Sequence, residues 1–200
     1  MTQTNQKYEL LDHDTVTTPS GRVLKRIRAL VAIGSLVAAG ELGGYIESED
    51  NLACGGNAWV YGNAQVSGDA QVYGNARVYG NAQVYGNARV YGNARVSGDA
   101  QVYGNARVSG DARVSGDARV SGDALIKNRT DLFWLSIIGS ENGTYTAFKN
   151  KDGGILVSRG CFDGTLDEFS DAVNKRHSGK FHEEYQLVIE LTKLRLGKDA

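Results

Sequence analysis

The sequence predicts a mainly β protein: a three-sided parallel β-helix with a small N-terminal β cap and a C-terminal α+β module. Three observations carry this. A six-residue unit, [Asn/Asp]-Ala-x-Val-[Tyr/Ser]-Gly, runs eleven times without a gap from Asn57 to Gly122, with a degraded twelfth in Asp123-Ala-Leu-Ile-Lys-Asn128. Six is even, so the unit keeps phase with the two-residue alternation of a strand, and Val78, Ala82 and Val84 face one side. Gly followed by Asn or Asp recurs in every unit, and these residues tolerate the positive φ of a tight corner.

Other periodic folds fail. On an α-helix six residues advance about 600°, so successive valines form no stripe, and a glycine in each unit costs about 1 kcal/mol against alanine. Collagen needs glycine at every third position and abundant proline, whereas this chain has one proline. A short strand, a corner and another strand describe a flat-sided coil. Three units make a triangular coil of 18 residues, stacked on the next at about 4.8 Å. Twelve units predict about four coils, a prism roughly 19 Å long.

In chain order, residues 1–56 read as the cap with an irregular first coil. Tyr8–Leu30 alternates around Thr18-Pro19-Ser20-Gly21, a β-hairpin signal. Leu42-Gly-Gly-Tyr-Ile46 and Leu52 read as an imperfect coil broken before Asn57. Residues 57–128 are the repeat. Residues 129–200 form the module, with three strands expected at Phe133–Gly139, Thr144–Asn150 and Gly154–Phe162 and turns at Asn142-Gly143 and Asp152-Gly153. Thr165-Leu-Asp-Glu168 is a capping box opening a helix with Phe169, Ala172 and Val173 inward. A second helix from about His182 to Leu196 buries Tyr185, Val188, Ile189 and Thr192 and stops at Gly197. Open ends of a β-helix are sheet edges, so both flanks are expected to plug them. The C-terminal module is larger than a plug requires.

The order Val-Tyr-Gly-Asn-Ala-Arg resembles the hexapeptide-repeat, left-handed β-helix superfamily, in which Asn/Asp and then a small residue follow the aliphatic position. The left-handed sense is implied by that resemblance alone, since the usual crossover rule favours the right. Leu42-Gly-Gly-Tyr-Ile-Glu, the repeats and the tail Arg159-Gly-Cys-Phe-Asp-Gly-Thr-Leu-Asp-Glu-Phe look like a family of small phage and prophage accessory proteins. That likeness implies a viral origin and a non-catalytic role.

Composition limits the partners. A net charge of −1 across 200 residues does not suit long nucleic acid or an anionic membrane surface. The polar start Met1–Lys7 lacks a leader's apolar region, and the near-apolar run Ala29–Gly40 is too short to cross a bilayer. Cys54 and Cys161 are isolated thiols, so a reducing, cytoplasmic setting is expected.

Enzymatic chemistry lacks its groups. The resemblance implies that acyltransferases of the superfamily use a histidine at the coils and that its carbonic anhydrases use three for zinc. No histidine occurs between Asn51 and Asn128, so neither the base nor the ligands are present. Only Asp99 and Asp117 stack at one 18-residue interval, too few oxygens for calcium. Cys161 with His177 or His182 is a conceivable thiolate pair, but a cysteine beside Phe162 in a strand is expected to be a buried structural thiol. The expectation is a non-enzyme without cofactor or metal.

Folding the array at 18 residues aligns Trp59, Arg77, Arg95 and Arg113 beside Tyr61 and Tyr79. Gln65, Gln83, Gln101 and Arg119 align on the second face, and Gln71, Arg89 and Arg107 on the third. A slim tube with a small core gains from further burial, and the superfamily resemblance implies three prisms about a three-fold axis, so a homotrimer is expected. Arg pairs with phosphate and aromatic rings stack on bases. The expected ligand-binding residues are Trp59, Tyr61, Arg77, Tyr79 and Arg95 on the coils and Arg159, His177 and Tyr185 in the module. The function expected is a binding protein sequestering a small nucleotide immune signal of the host. The alternative is a structural or interaction protein, a rigid spacer or virion component gripping a protein partner. An ice-binding plane is disfavoured, because it needs threonine arrays.

Overall fold

The computed structural model describes residues 6–197 and is a parallel β-solenoid plugged at both ends. The polar start that argued against a leader lies, for Met1–Asn5, outside the described residues. Strands β1 (Tyr8–Thr17) and β2 (Val23–Ala29) form the expected antiparallel hairpin, closed where the Thr18 amide donates to the Arg22 carbonyl at 2.8 Å. Strand β3 (Leu42–Ile46) pairs antiparallel with β2 and parallel with Gln65–Val66, so the hairpin continues one solenoid face outward.

The Gly-Gly in β3 has a steric cause. A Cβ on Gly43 would lie 2.5 Å from the Ile27 side chain, and one on Gly44 2.5 Å from the Ala64 carbonyl oxygen. Only glycine lets β3 lie this close beneath the hairpin and the first coil.

Twelve two-residue strands follow, β4 (Trp59–Val60) to β15 (Leu125–Ile126), one per hexapeptide. They pair at 18-residue intervals in three parallel faces, as the period requires. Trp59, Arg77, Arg95 and Arg113 share one face, and Gln65, Gln83, Gln101 and Arg119 the second. Gln71, Arg89, Arg107 and Leu125 share the third. Each array valine and alanine is fully or almost fully buried. Backbone bonds run coil to coil, as from the Arg77 amide to the Ala94 carbonyl (3.0 Å) and from the Asn81 amide to the Gly98 carbonyl (2.9 Å). Corner amides form ladders, with Asn57 donating to Asn75 and Asn75 to Asn93 at 3.2–3.3 Å. Tyr73 stacks on Tyr91 and Tyr85 on Tyr103, with centroids 4.9 and 5.0 Å apart.

The stack is about one turn longer than the repeat count predicted, because Leu42–Leu52 completes a coil. Ile46 pairs with Val66 and Leu52 bridges Val72, both twenty residues on, whereas Val60 pairs with Val78, eighteen on. Two extra residues therefore sit in the corner between Leu52 and Trp59, where Cys54 is exposed. Lys7 clamps this corner by donating to the carbonyls of Ala53 (2.9 Å) and Ala58 (2.8 Å). Burial pushes the Lys7 ammonium down to about 8, against a smaller opposing effect of Cys54.

The module has a sheet of four antiparallel strands, one more than expected: β16 (Leu132–Ile138), β17 (Gly143–Lys149), β18 (Ile155–Arg159) and β19 (Phe162–Thr165). The segment expected as one strand to Phe162 turns at Gly160-Cys161, with Gly160 at φ 60°. Alternation decides what each side of the sheet covers. Leu132 and Phe148 join the solenoid core, while Phe133, Tyr145, Ala147 and Val157 face the helices. The sheet is thus the plug, and the helices cover its far side. Arg119, in the last coil, gives its amide to the Thr146 hydroxyl at 3.1 Å, and Asp163 accepts from Ser121 (3.1 Å) and Tyr103 (3.2 Å).

Helix α1 (Leu166–Arg176) begins at the expected box. The Glu168 amide donates to the Thr165 hydroxyl at 3.2 Å, and the Thr165 amide to the Glu168 carboxylate at 2.8 Å. Phe169 and Val173 are buried and Ala172 half-buried. Helix α2 (Gly179–Leu196) starts three residues before the expected position and buries Tyr185, Val188, Ile189 and Thr192 as read from the sequence. Among the described residues no helix is long and apolar enough to cross a membrane.

Candidate functional site

The expected residues separate into two places, and one of them drops out. Trp59 is fully buried, not displayed on a face. The 18-residue register does align it with Arg77, but chain outside the array covers it. The Tyr8 ring meets it edge-on at 6.1 Å, and Ile33 and Val37, which bridge each other in the near-apolar run, join the same core. That run packs over the first coil, a role its composition did not disclose.

Tyr61, Arg77, Tyr79 and Arg95 line one open depression of about 330 Å³ together with Leu36. The array supplies this geometry directly. Arg77 and Arg95 are in register on neighbouring coils, and Tyr61 and Tyr79 stand two residues after Trp59 and Arg77, on the first two coils of the same column. Tyr79 is among the exposed aromatic residues at 38 %. Burial raises the Tyr61 phenol, and the Arg77 guanidinium opposes that rise. Among the described residues neither Arg77 nor Arg95 makes an ion pair. Two guanidiniums one coil apart, neither in an ion pair, give positive charge that the Glu41 carboxylate near Tyr61 offsets in part, and the phenols beside them give stacking area. Leu36 could be found only by knowing that the near-apolar run folds back here.

Arg159, His177 and Tyr185 meet in a second cleft of about 240 Å³ within the module. Arg159 comes from the end of β18, His177 caps α1, and Tyr185 lies on α2. The Arg159 Cζ is 5.9 Å from the Tyr185 ring centroid, and the His177 ring is 5.0 Å from Tyr185. Burial raises the Tyr185 phenol, with Arg159 again opposing. Sequence reasoning missed Glu141 and Arg176 on the rim; the adjacency of Arg176 to His177 at a helix end was the available signal for the second.

Cys161 also lines this cleft and is exposed, contrary to the expected buried thiol, because it sits in the turn between β18 and β19 and not inside a strand. His182 is turned to Asn174, at 2.9 Å, and Gln186. Among the described residues no group of three or more His, Cys, Asp or Glu side chains could hold a metal ion.

Residues 70–86, 82–98, 100–116 and 112–127 match the family model described as the YdcK beta solenoid repeat. The likeness is confined to the array and supports a repeat β-helix family. A comparison with curated proteins found no match.

Proposed function

We propose that this chain is a non-enzymatic binding protein that captures a small nucleotide on the outer wall of its solenoid. The observation that supports this is the convergence of Tyr61, Arg77, Tyr79 and Arg95 on one depression. Phosphate oxygens take the guanidinium hydrogen bonds, and the base stacks on a phenol. The interior offers no alternative, because the solenoid core is filled with valine and alanine.

In the fuller form of this reading the protein is a phage-type sponge that withholds a nucleotide immune signal from a host effector. It works as a homotrimer whose prisms pack along their faces and deepen the open depression. Sequestration requires tight binding and return of the ligand unchanged.

Calorimetry against cyclic and linear nucleotides tests the binding. A saturable interaction is expected, weakened about tenfold or more by Arg77→Ala or Arg95→Ala, as for loss of a charge-assisted hydrogen bond. No heat with any nucleotide sinks the reading. Light scattering at micromolar concentration tests the trimer, and a monomer there refutes it.

A further inference from the structure

We infer that the cleft of the C-terminal module is a separate site for a small organic anion: one carboxylate or phosphate group on a compact aromatic or apolar body. The inference does not depend on the solenoid depression.

Arg159 is a buried charge with only a distant, solvent-exposed counter-charge. The Arg159 side chain is 8 % exposed. Its Nη2 donates to the Ile138 carbonyl at 2.7 Å, and among the described residues its buried Nε has no hydrogen-bond partner. The nearest carboxylate, Glu141, stands 3.9 Å from Nη1 and is itself 82 % exposed, so it is a loose and displaceable partner. Buried cations are ordinarily paired and fully hydrogen-bonded, because burial removes the water that would solvate them. Here that pairing is incomplete, on a guanidinium that lines a cavity.

The surroundings hold Arg159 in place. A Cβ on Gly143 would lie 2.5 Å from Nη1, so the backbone of β17 presses against the guanidinium. Ile137, in the irregular end of β16, and Asn142, in the turn that carries Glu141, have φ of 60° and 49°. For a β-branched residue such as Ile137 this is a strained conformation, of the kind that clusters at functional sites. Glu184 anchors the loop by accepting from the Gly139 amide at 3.0 Å.

The other walls define the ligand. Phe162, Phe169 and Tyr185 stand edge to face, with centroids 5.2 and 5.6 Å apart, and offer an apolar aromatic surface. Arg176 and His177 add donors at the rim. A cavity of about 240 Å³ falls below the usual range for drug-sized ligands. That size suits a single ring bearing one anionic group.

The test is calorimetry of the full chain at low salt with benzoate, phenyl phosphate, inorganic phosphate and neutral benzamide. Benzoate or phenyl phosphate should bind saturably, and which of them binds more tightly assigns carboxylate or phosphate. Benzamide should not bind. Arg176→Ala and His177→Ala, at the surface end of α1, should each weaken binding about tenfold with the circular dichroism unchanged. Arg77→Ala should leave this affinity as it is, which separates the cleft from the solenoid depression. Arg159→Met should abolish binding, and the rim variants keep the test decisive if that protein fails to fold. The inference is overturned by no binding of either organic anion, by equal binding of benzamide, by inorganic phosphate binding alone, or by full affinity in both rim variants.

Discussion

Replacing Gly98 with alanine should damage the protein more than the same change at Gly62, and the structure supplies both magnitudes. The two glycines are equivalent corners, at φ 69° and 59°. Alanine in this left-handed region costs about 1–2 kcal/mol at either site. The difference lies in the neighbouring coil. A Cβ on Gly98 would stand 2.9 Å from the Gly116 amide nitrogen and 3.1 Å from its carbonyl oxygen, all backbone. A Cβ on Gly62 would meet only the Gly80 carbonyl oxygen, at 3.7 Å. Relieving the first contact means spreading two coils, an overpacking cost of about 1–3 kcal/mol. Gly62→Ala should therefore destabilise by about 1–2 kcal/mol and Gly98→Ala by about 2–5. Urea unfolding followed by circular dichroism reads this as a lower midpoint at unchanged slope. Equal midpoints for the two variants would refute the stacked-corner geometry. So would a raised midpoint, the usual result of Gly→Ala where φ is negative.

Further outcomes follow from single side chains. Burial pushes the Tyr145 phenol up to about 12, opposed by the hydrogen bond with Thr192. Because the folded state keeps a proton that the unfolded chain releases near pH 10, Tyr145 stabilises fully below pH 10 and loses that contribution as pH rises towards 12. The loss is at most about 1.4 kcal/mol per pH unit, and Tyr145→Phe should flatten it in alkaline unfolding curves. Thr165→Ala removes the α1 cap and should cost about 1 kcal/mol, read by thermal unfolding. With Trp134→Phe leaving Trp59 as the sole tryptophan, emission should be blue-shifted and resistant to acrylamide; ready quenching would place Trp59 back on the surface.

What the sequence disclosed, and what it hid, follows from the range of each interaction. The columns Trp59–Arg77–Arg95–Arg113 and their two companions were legible because an even, gapless period fixes both register and facing. Whether a column member is exposed depends on distant chain. Trp59 is fully buried, with Tyr8 edge-on against it and Ile33 and Val37 in the same core, and no local signal records that burial. The first coil was blurred by two inserted residues, which break the six-residue phase without breaking the stack. Strand β19 escaped because Phe162-Asp-Gly-Thr165 shows no clear alternation and carries a glycine; its pairing with β18 sets it. Cys161 was misplaced for the same reason, a strand end that is in fact a turn. Arg159, His177 and Tyr185 were identifiable as residue types, and their meeting in one cleft is a product of the β18–β19 turn and the packing of α1 on α2.

Disulfide trapping tests most directly whether eighteen residues separate side chains that touch on the outside. With Cys54 and Cys161 replaced by serine, Arg77→Cys/Arg95→Cys places two thiols on paired residues of neighbouring strands, within the Cα separation a disulfide accepts. Arg77→Cys/Arg89→Cys places them on different faces. The first protein should cross-link rapidly under mild oxidation and the second should not. Cross-linking at twelve residues, or none at eighteen, would remove the outer columns and the binding wall built from them.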